Sequence, residues 1–264
     1  MRMFGKDEVA KMFADFFTSE TVQNALDILK TQFPLAIWET LYVTVLSTFF
    51  AVVIGLPLGV LLAAGENGRV LKVPKALLHL INVIINLLRS VPFLILMIMV
   101  FPVTRLIVGT VVGTAASIVP LVIASFPFAA RLVESSLRKV DPNVIEAAQS
   151  FGVSPFRIVT KVMIPESIPS LISDTAIALT TILGYSAMSG ILGGGGLGKI
   201  AINYGYYRYQ YLVMLFAVIC LIVLVQAFQS IGTCLATRCD KRLKGRKSFR
   251  ASIIKRHTAT GSPV

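Results

Sequence analysis

Residues 141–165 read DPNVIEAAQSFGVSPFRIVTKVMIP, and this stretch decides how the rest of the sequence is interpreted. It is amphipathic, and the connection to which it belongs is too long for a simple turn and too polar to cross a membrane. Asp141 suits the N-cap of a helix that starts at Pro142, and Gly152 can end that helix in the left-handed conformation. Ser154 then suits the cap of a second helix. The stretch therefore predicts two short helices separated by a glycine turn.

The composition of the whole chain indicates a membrane protein. Of the 264 residues, 55% are apolar and only 14% are charged, against about 25% charged in an ordinary soluble domain. The mean hydropathy is +0.79, and apolar residues recur along the whole chain, so a signal peptide alone does not explain this value. These figures exclude a soluble enzyme, a disordered protein and a disulfide scaffold.

Five segments are long and apolar enough to cross a membrane. A span needs about 20 mostly apolar residues, because the hydrocarbon core is about 30 Å thick. All five are predicted to be helices, since lipid offers the backbone no hydrogen-bond partner and no segment alternates like a barrel strand. They cover approximately residues 40–64, 77–101, 106–130, 168–192 and 212–235. The predicted fold class is all-α integral membrane, with five transmembrane helices and short cytoplasmic helices between the third and the fourth.

The positions of Lys and Arg orient these spans. Bases cluster after the first span, between the third and fourth spans, and after the fifth span. The loops after the second and fourth spans carry few bases, and residues 1–33 have a net charge of −1 (four bases and five acids). The charges predict an N-terminus outside and a C-terminus in the cytoplasm. A six-span arrangement would put the basic tail or the basic central connection outside.

The chain is expected to have three parts. Residues 1–33 form an extracytoplasmic segment, residues 34–237 form the transmembrane domain with the 141–165 helices, and residues 238–264 form a basic cytoplasmic tail. The tail would be attracted to anionic lipid, and without interleaved aromatic residues it predicts no nucleic-acid partner. An amphipathic helix on the outer face is predicted from the helical spacing of Val9, Met12, Phe13, Phe16 and Phe17.

Small residues and one charge stand out inside the spans. The spacings Gly55-x3-Gly59 and Gly109-x3-Gly113 predict close helix contacts. Arg89 lies inside the second predicted span, where a charge is costly and usually faces protein or water. It either orients a pathway or ties the structure together, and Asp174 in the fourth span is one candidate partner.

Seven residues within 141–165 have the spacing of a known motif: Glu146, Ala147, Ala148, Gly152, Val162, Ile164 and Pro165. They resemble Glu-Ala-Ala, x3, Gly, x9, Ile-x-Leu-Pro, the coupling motif of permease subunits of bacterial ABC importers. The sequence departs from that pattern only by Val162 and Ile164, which are both conservative changes. The resemblance implies that a separate ATPase docks on this segment. The alanines would permit close approach, and Glu146 would pair with a basic residue of the ATPase.

Other stretches resemble the methionine-importing members of this family, which are five-span subunits. Residues 86–93 read NLLRSVPF and are similar to the family's Asn-x-x-Arg-Ser-x-Pro-Phe. Residues 184–190, 195–198 and 204–206 read GYSAMSG, GGLG and YGY and are also similar. The resemblance covers about residues 35–240. The candidate residues of a substrate pathway are Asn86, Arg89, Ser90, Pro92, Tyr185, Ser186 and Met188.

The resemblance also implies partners and a location. The chain would be a type I ABC importer permease in the bacterial cytoplasmic membrane, paired with a second copy of itself and surrounded by lipid. Two ATP-binding subunits would use ATP and Mg, while this chain binds no cofactor and is not an enzyme. An extracytoplasmic methionine-binding protein would deliver the substrate.

Three alternatives stay open. The same machine could import another amino acid or small solute. A stand-alone secondary transporter is disfavoured, because five spans do not divide into two equal repeats and the coupling motif would have no use. A scaffold without a transport role predicts no ATPase partner.

One glycine-rich stretch only resembles a nucleotide site. Gly193-x4-Gly198-Lys199 matches the start of a phosphate-binding loop, but Ile200 stands where the motif needs Ser or Thr. We therefore expect a flexible or tightly packed turn at the outer end of the fourth span. Such a turn would permit close approach by a binding protein or by substrate.

Overall fold

The computed structural model describes residues 19–68 and 70–240, and the regular elements in these ranges are helices. The amphipathic helix predicted around residues 9–17 and all but the first three residues of the basic tail lie outside the described residues. The α-helices are α1 (Ser19–Thr31), α2 (Phe33–Gly65), α3 (Lys75–Ser90), α4 (Phe93–Met99), α5 (Phe101–Val108), α6 (Thr114–Arg138), α7 (Pro142–Ser150), α8 (Pro155–Ile158), α9 (Ile164–Ser189), α10 (Gly196–Ile200) and α11 (Tyr211–Cys239).

Four helical runs of the described chain are long and apolar enough to cross a membrane: α2, α6, the run Pro155–Leu192 and α11. The predicted all-α membrane class is therefore confirmed. The helices α3 and α4 count as a fifth span only as a bent pair, since their axes meet at 109°. The prediction of a continuous second span over 77–101 is wrong. Pro92 lacks a backbone N–H and forces Val91 into an extended conformation (φ −79°, ψ 128°), which ends α3.

The predicted start of the third span at residue 106 is also wrong. Leu106 belongs to the short helix α5 and is 85% exposed. Gly109 (φ +83°) and Gly113 (φ +110°) then have left-handed backbones that interrupt the helix. The third span therefore begins only at Thr114, where α6 starts.

The connection at 141–165 matches its prediction in the first half only. The Asp141 side chain accepts a hydrogen bond from Asn143 N at 2.9 Å, and Gly152 is left-handed (φ +71°). Ser154 precedes α8, but its side chain does not cap the helix. The four-residue helix α8 passes through a π-helical turn, Val159–Met163, directly into α9. The expected second short helix is thus the first turn of a 38-residue run.

Close contact between α2 and α6 forms the centre of the bundle. A Cβ on Gly59 would lie 2.5 Å from Ala130 O and 2.7 Å from Val133 Cβ, so only glycine permits this approach. A Cβ on Gly55 would lie 2.8 Å from Ala129 Cβ. The packing predicted for the Gly55/Gly59 pair is confirmed. The same prediction for Gly109 and Gly113 is wrong, because nothing lies within 4 Å of their Cβ positions.

Gly59→Ala should destabilise the protein by about 1–3 kcal/mol, the usual cost of overpacking a well-packed contact. The matched control is Gly184→Ala in α9, where nothing lies within 4 Å of the added methyl group. Alanine favours helix by about 0.5–1 kcal/mol over glycine, so the control should keep or raise the melting temperature. Thermal unfolding of the purified protein in detergent measures both. Equal melting temperatures would contradict the proposed contact.

Candidate functional site

The helix α7 is fastened to one end of the bundle, which we call the coupling end. Its Ile145 side chain is only 1% exposed. Ile145 belongs to a hydrophobic cluster, the coupling-end cluster, to which α2, α6, the α7 region and the α8–α9 run contribute. The buried members are Ala63, Ala64, Val70, Val133, Leu137, Val140, Ile145, Ile158, Val159 and Met163. Through this cluster the short helix is linked to three spans.

The opposite side of α7 and the turn after it are open to solvent. Glu146 and Ala147 are exposed. Two aromatic side chains are also largely exposed: Phe151 at 86% and Phe156 at 73%. We call these four residues, with Val144, the exposed coupling face. In the described residues, the Glu146 carboxylate forms no ion pair. A large apolar surface beside an uncompensated charge is typical of a protein contact.

The seven motif residues fall into two groups. Ala148, Val162 and Ile164 pack against the coupling-end cluster and hold the segment in place. Glu146, Ala147 and Pro165 are exposed, and Gly152 makes the turn with open space around it. Part of the motif thus positions the segment and part is available to a partner.

The candidate pathway residues of the second span lie around the break between α3 and α4. Asn86 Oδ1 accepts a hydrogen bond from Arg131 Nη2 of α6 at 2.9 Å, and Ser90 Oγ donates to Asn86 O at 2.8 Å. Pro92 lies at the N-cap of α4, and Arg89 is exposed in this single chain. The suggested pairing of Arg89 with Asp174 is absent from the described chain. The Asp174 carboxylate instead accepts a hydrogen bond from Ser136 Oγ.

The candidate residues of the fourth span lie near the opposite end of α9. The Tyr185 ring stacks on Phe93 of α4, with centroids 4.6 Å apart and planes within 5°. Ser186 is buried and donates its hydroxyl to Leu183 O at 2.8 Å, whereas Met188 is 47% exposed. The Phe93–Tyr185 stack brings the broken second span against the fourth span. The sequence pattern did not show this contact.

Sequence reasoning missed an ionic cluster at the coupling end. The buried Glu134 carboxylate accepts from Arg131 at 2.7 Å and from Arg138 at 2.5 Å, and Arg138 also lies 3.1 Å from Glu66. Two cations within one helical turn compensate the buried charge. The spacing of Arg131, Glu134 and Arg138 along α6, i, i+3 and i, i+4, is the sequence feature that could have predicted these ion pairs. Through Arg131, this cluster also holds Asn86.

A second polar cluster, which we call the glycine knot, ties the opposite end together. Glu39 Oε2 accepts from Gly196 N at 2.7 Å and Oε1 accepts from Thr114 Oγ1 at 2.9 Å. Thr40 Oγ1 accepts from Leu197 N at 2.9 Å. A Cβ on Gly196 would collide with the Thr40 hydroxyl. The glycine-rich turn is therefore tightly packed.

The described residues contain no group of three or more His, Cys, Asp or Glu side chains arranged to hold a metal ion. The arrangement is suited to mechanical work: a helix fastened to three spans, an exposed contact face, and a broken span held by side-chain contacts. These features define a multi-span membrane component that works with another protein.

Residues 55–244 match the family of binding-protein-dependent transport system inner membrane components. The chain belongs to this family. It is 47% identical over 208 residues to the probable D-methionine transport system permease protein MetI of Vibrio cholerae, covering 78% of this chain and 92% of the relative. It is 46% identical over 208 residues to the Pasteurella multocida protein of the same description, covering 79% and 95%.

Solved structures agree with the fold. Inward-facing conformations of the MetNI methionine ABC transporter match with a TM-score of 0.76 and 42% identity, over 78% of this chain and 95% of that chain. An amino acid ABC transporter crystallised with histidines matches with a TM-score of 0.64 and 21% identity, over 81% and 97%. The first likeness confirms the type I ABC importer permease fold, and the second agrees at the level of the fold.

Glu39→Ala should destabilise the glycine knot, because the Gly196 N–H then loses its acceptor. A buried donor left unpaired costs about 1–3 kcal/mol. Glu39→Gln keeps one side-chain carbonyl oxygen and should lose less. The melting temperatures of the two purified variants test this order. An alanine variant as stable as the wild type would contradict the structural role of Glu39.

Proposed function

We propose that this chain is the permease subunit of an ABC importer that carries methionine across the cytoplasmic membrane. The observation that carries the proposal is the exposed coupling face on a helix fastened to three spans. The names of the relatives and of the matching MetNI structure support methionine as the substrate. The relatives are named for D-methionine, and the MetNI transporter is named for methionine without an enantiomer. Both enantiomers are therefore candidate substrates.

An ATPase that closes on ATP needs a rigid part of the permease to move. The buried Ile145 places α7 in the coupling-end cluster, to which α2, α6 and the α8–α9 run contribute. A force on α7 would therefore be passed through this cluster to three spans. The run Pro155–Leu192 then extends from the coupling face to Tyr185 at the other end of the bundle. Well-packed contacts switch between discrete arrangements rather than deforming continuously, which suits alternation between inward-open and outward-open states.

The other parts of the transporter follow from this proposal. Two copies of the chain would surround the pathway, two ATP-binding subunits would dock on the two coupling faces, and a binding protein would deliver substrate to the opposite end. ATP and Mg would be bound by the ATPase and not by this chain. The N-terminus would lie outside and the C-terminus in the cytoplasm, in agreement with the distribution of Lys and Arg.

The substrate would pass near the break between α3 and α4 and the neighbouring end of α9. Tyr185 and Met188 offer an aromatic and a thioether surface there, and a sulfur atom makes favourable contacts with aromatic rings. Asn86, Arg89, Ser90, Pro92 and Ser186 are the other candidate residues of this pathway.

Glu146→Arg should abolish capture of the co-expressed ATPase without changing membrane insertion. The change reverses a charge on the exposed coupling face, and like charges at an interface cost several kcal/mol. The control is Asp27→Arg, the same reversal at an exposed position of α1. Affinity capture from detergent measures the ATPase bound per permease. Equal capture by Glu146→Arg and the control would contradict docking through Glu146.

Uptake of labelled D- and L-methionine tests the proposed substrate. The recipient cells lack their own methionine importers and express the chain with its candidate ATPase and binding protein. We expect saturable uptake that disappears when the ATPase cannot hydrolyse ATP. Uptake of another amino acid, with no uptake of either methionine enantiomer, would contradict methionine and leave the importer class intact.

A further inference from the structure

A polar pocket lies at the coupling end, between the ends of α6, α9 and α11. Its volume is about 460 Å³. Among the described residues, two cations, Lys139 and Arg238, and two carboxylates, Glu166 and Asp240, line it. The lining also includes the serines Ser136, Ser167 and Ser170. Positive groups, negative groups and hydroxyls are thus combined in one pocket.

An apolar groove of about 350 Å³ runs along α9 and α11. Except for the Thr175 hydroxyl, its lining side chains are apolar. The lining residues are Ile168, Leu171, Ile172, Thr175, Ala176, Leu179, Phe228, Ile231, Gly232 and Leu235. Ile168 lines both the groove and the polar pocket, so the two are neighbours along α9.

The dimensions of the groove fit one leaflet of a bilayer. From Ile168 to Leu179, α9 rises about 16 Å at 1.5 Å per residue. This is about half of the ~30 Å hydrocarbon core. The groove is apolar along this length, and the charged pocket lies at its coupling end, where a headgroup of that leaflet would be.

We propose that the pocket and the groove together bind one phospholipid whose headgroup carries a phosphate and a primary ammonium, as in phosphatidylethanolamine. The phosphate would lie against Lys139 and Arg238, and the ammonium would donate to Glu166 and Asp240. One acyl chain would lie in the groove between α9 and α11. This site does not depend on which solute the protein transports.

Because the pocket lining carries both cations and carboxylates, it should favour phospholipids whose headgroups carry both a phosphate and an N–H donor. Phosphatidylcholine has the same net charge, but its methylated nitrogen has no N–H to donate to the two carboxylates. Phosphatidylglycerol has a phosphate and no cation, so it offers the two carboxylates no charged N–H donor. Hydrogen bonds between charged groups are about twice as strong as neutral ones, so the missing N–H donors should matter.

The test is a lipid titration followed by native mass spectrometry. The full chain is purified, stripped of lipid in detergent and titrated with the dioleoyl forms of phosphatidylethanolamine, phosphatidylcholine and phosphatidylglycerol. We expect one tight phosphatidylethanolamine per chain, bound about tenfold more tightly than phosphatidylcholine, as lost charge-assisted hydrogen bonds imply.

Three variants separate the parts of the site. In the double variant Glu166→Gln, Asp240→Asn, the affinity for phosphatidylethanolamine should fall to the affinity for phosphatidylcholine. Lys139→Gln with Arg238→Gln should weaken both lipids. The matched control is Lys72→Gln with Lys75→Gln, which removes two bases of the coupling end that do not line the pocket, and it should bind lipid like the wild type.

Three results would overturn the proposal: equal binding of phosphatidylethanolamine and phosphatidylcholine to the wild type, tighter binding of phosphatidylglycerol, or an unchanged preference in the carboxylate variant. Thr175→Trp fills the groove and should weaken the binding of all three lipids. If it instead separates two permease chains without affecting lipid binding, the groove is a subunit interface and the lipid assignment is wrong. The wild-type preference is decisive even if a variant does not fold.

Discussion

The rest of the structure depends on the burial of one face of α7 in the coupling-end cluster, to which three spans contribute. A nine-residue helix is too short to be stable alone in water, so packing must hold it in place. Ile145 is 1% exposed, and burial of such a side chain stabilises by about 1.5–3 kcal/mol. Glu146, the next residue, is exposed on the other side. The same short helix is thus fixed to the bundle and open to a partner.

The two ends of the bundle are held by different physical means. The coupling end combines a hydrophobic cluster with the Arg131–Glu134–Arg138 ions, and the opposite end depends on backbone N–H groups donated to Glu39 and Thr40. The broken second span is held on one side of its break by Asn86 and on the other by the Phe93–Tyr185 stack. Ile85 and Met97 are also buried in hydrophobic clusters, but the α3–α4 pair packs less extensively on the bundle than α2 does on α6. The α3–α4 pair is therefore the part best suited to rearrange.

Hydropathy and charge predicted the membrane class, the approximate spans and the exposed connection, because these depend on local composition. They could not predict the 109° break at Pro92, since the average over a long window conceals a single missing N–H. The left-handed turn at Gly109 shifted the third span for the same reason. Ser154 was a plausible cap by type, but the π-helical turn after α8 carries the chain directly into α9.

The candidate site was predictable only where its chemistry is local in sequence. The motif from Glu146 to Pro165 is contiguous, whereas Glu39 receives its hydrogen bond from a backbone 157 residues away. Ile145 has no place in the motif, although it anchors the helix that presents the motif. The exposed and the buried positions of α7 therefore affect a partner differently. A change of charge at 146 would alter the contact itself, whereas a smaller residue at 145 would loosen the support and weaken docking without touching the partner.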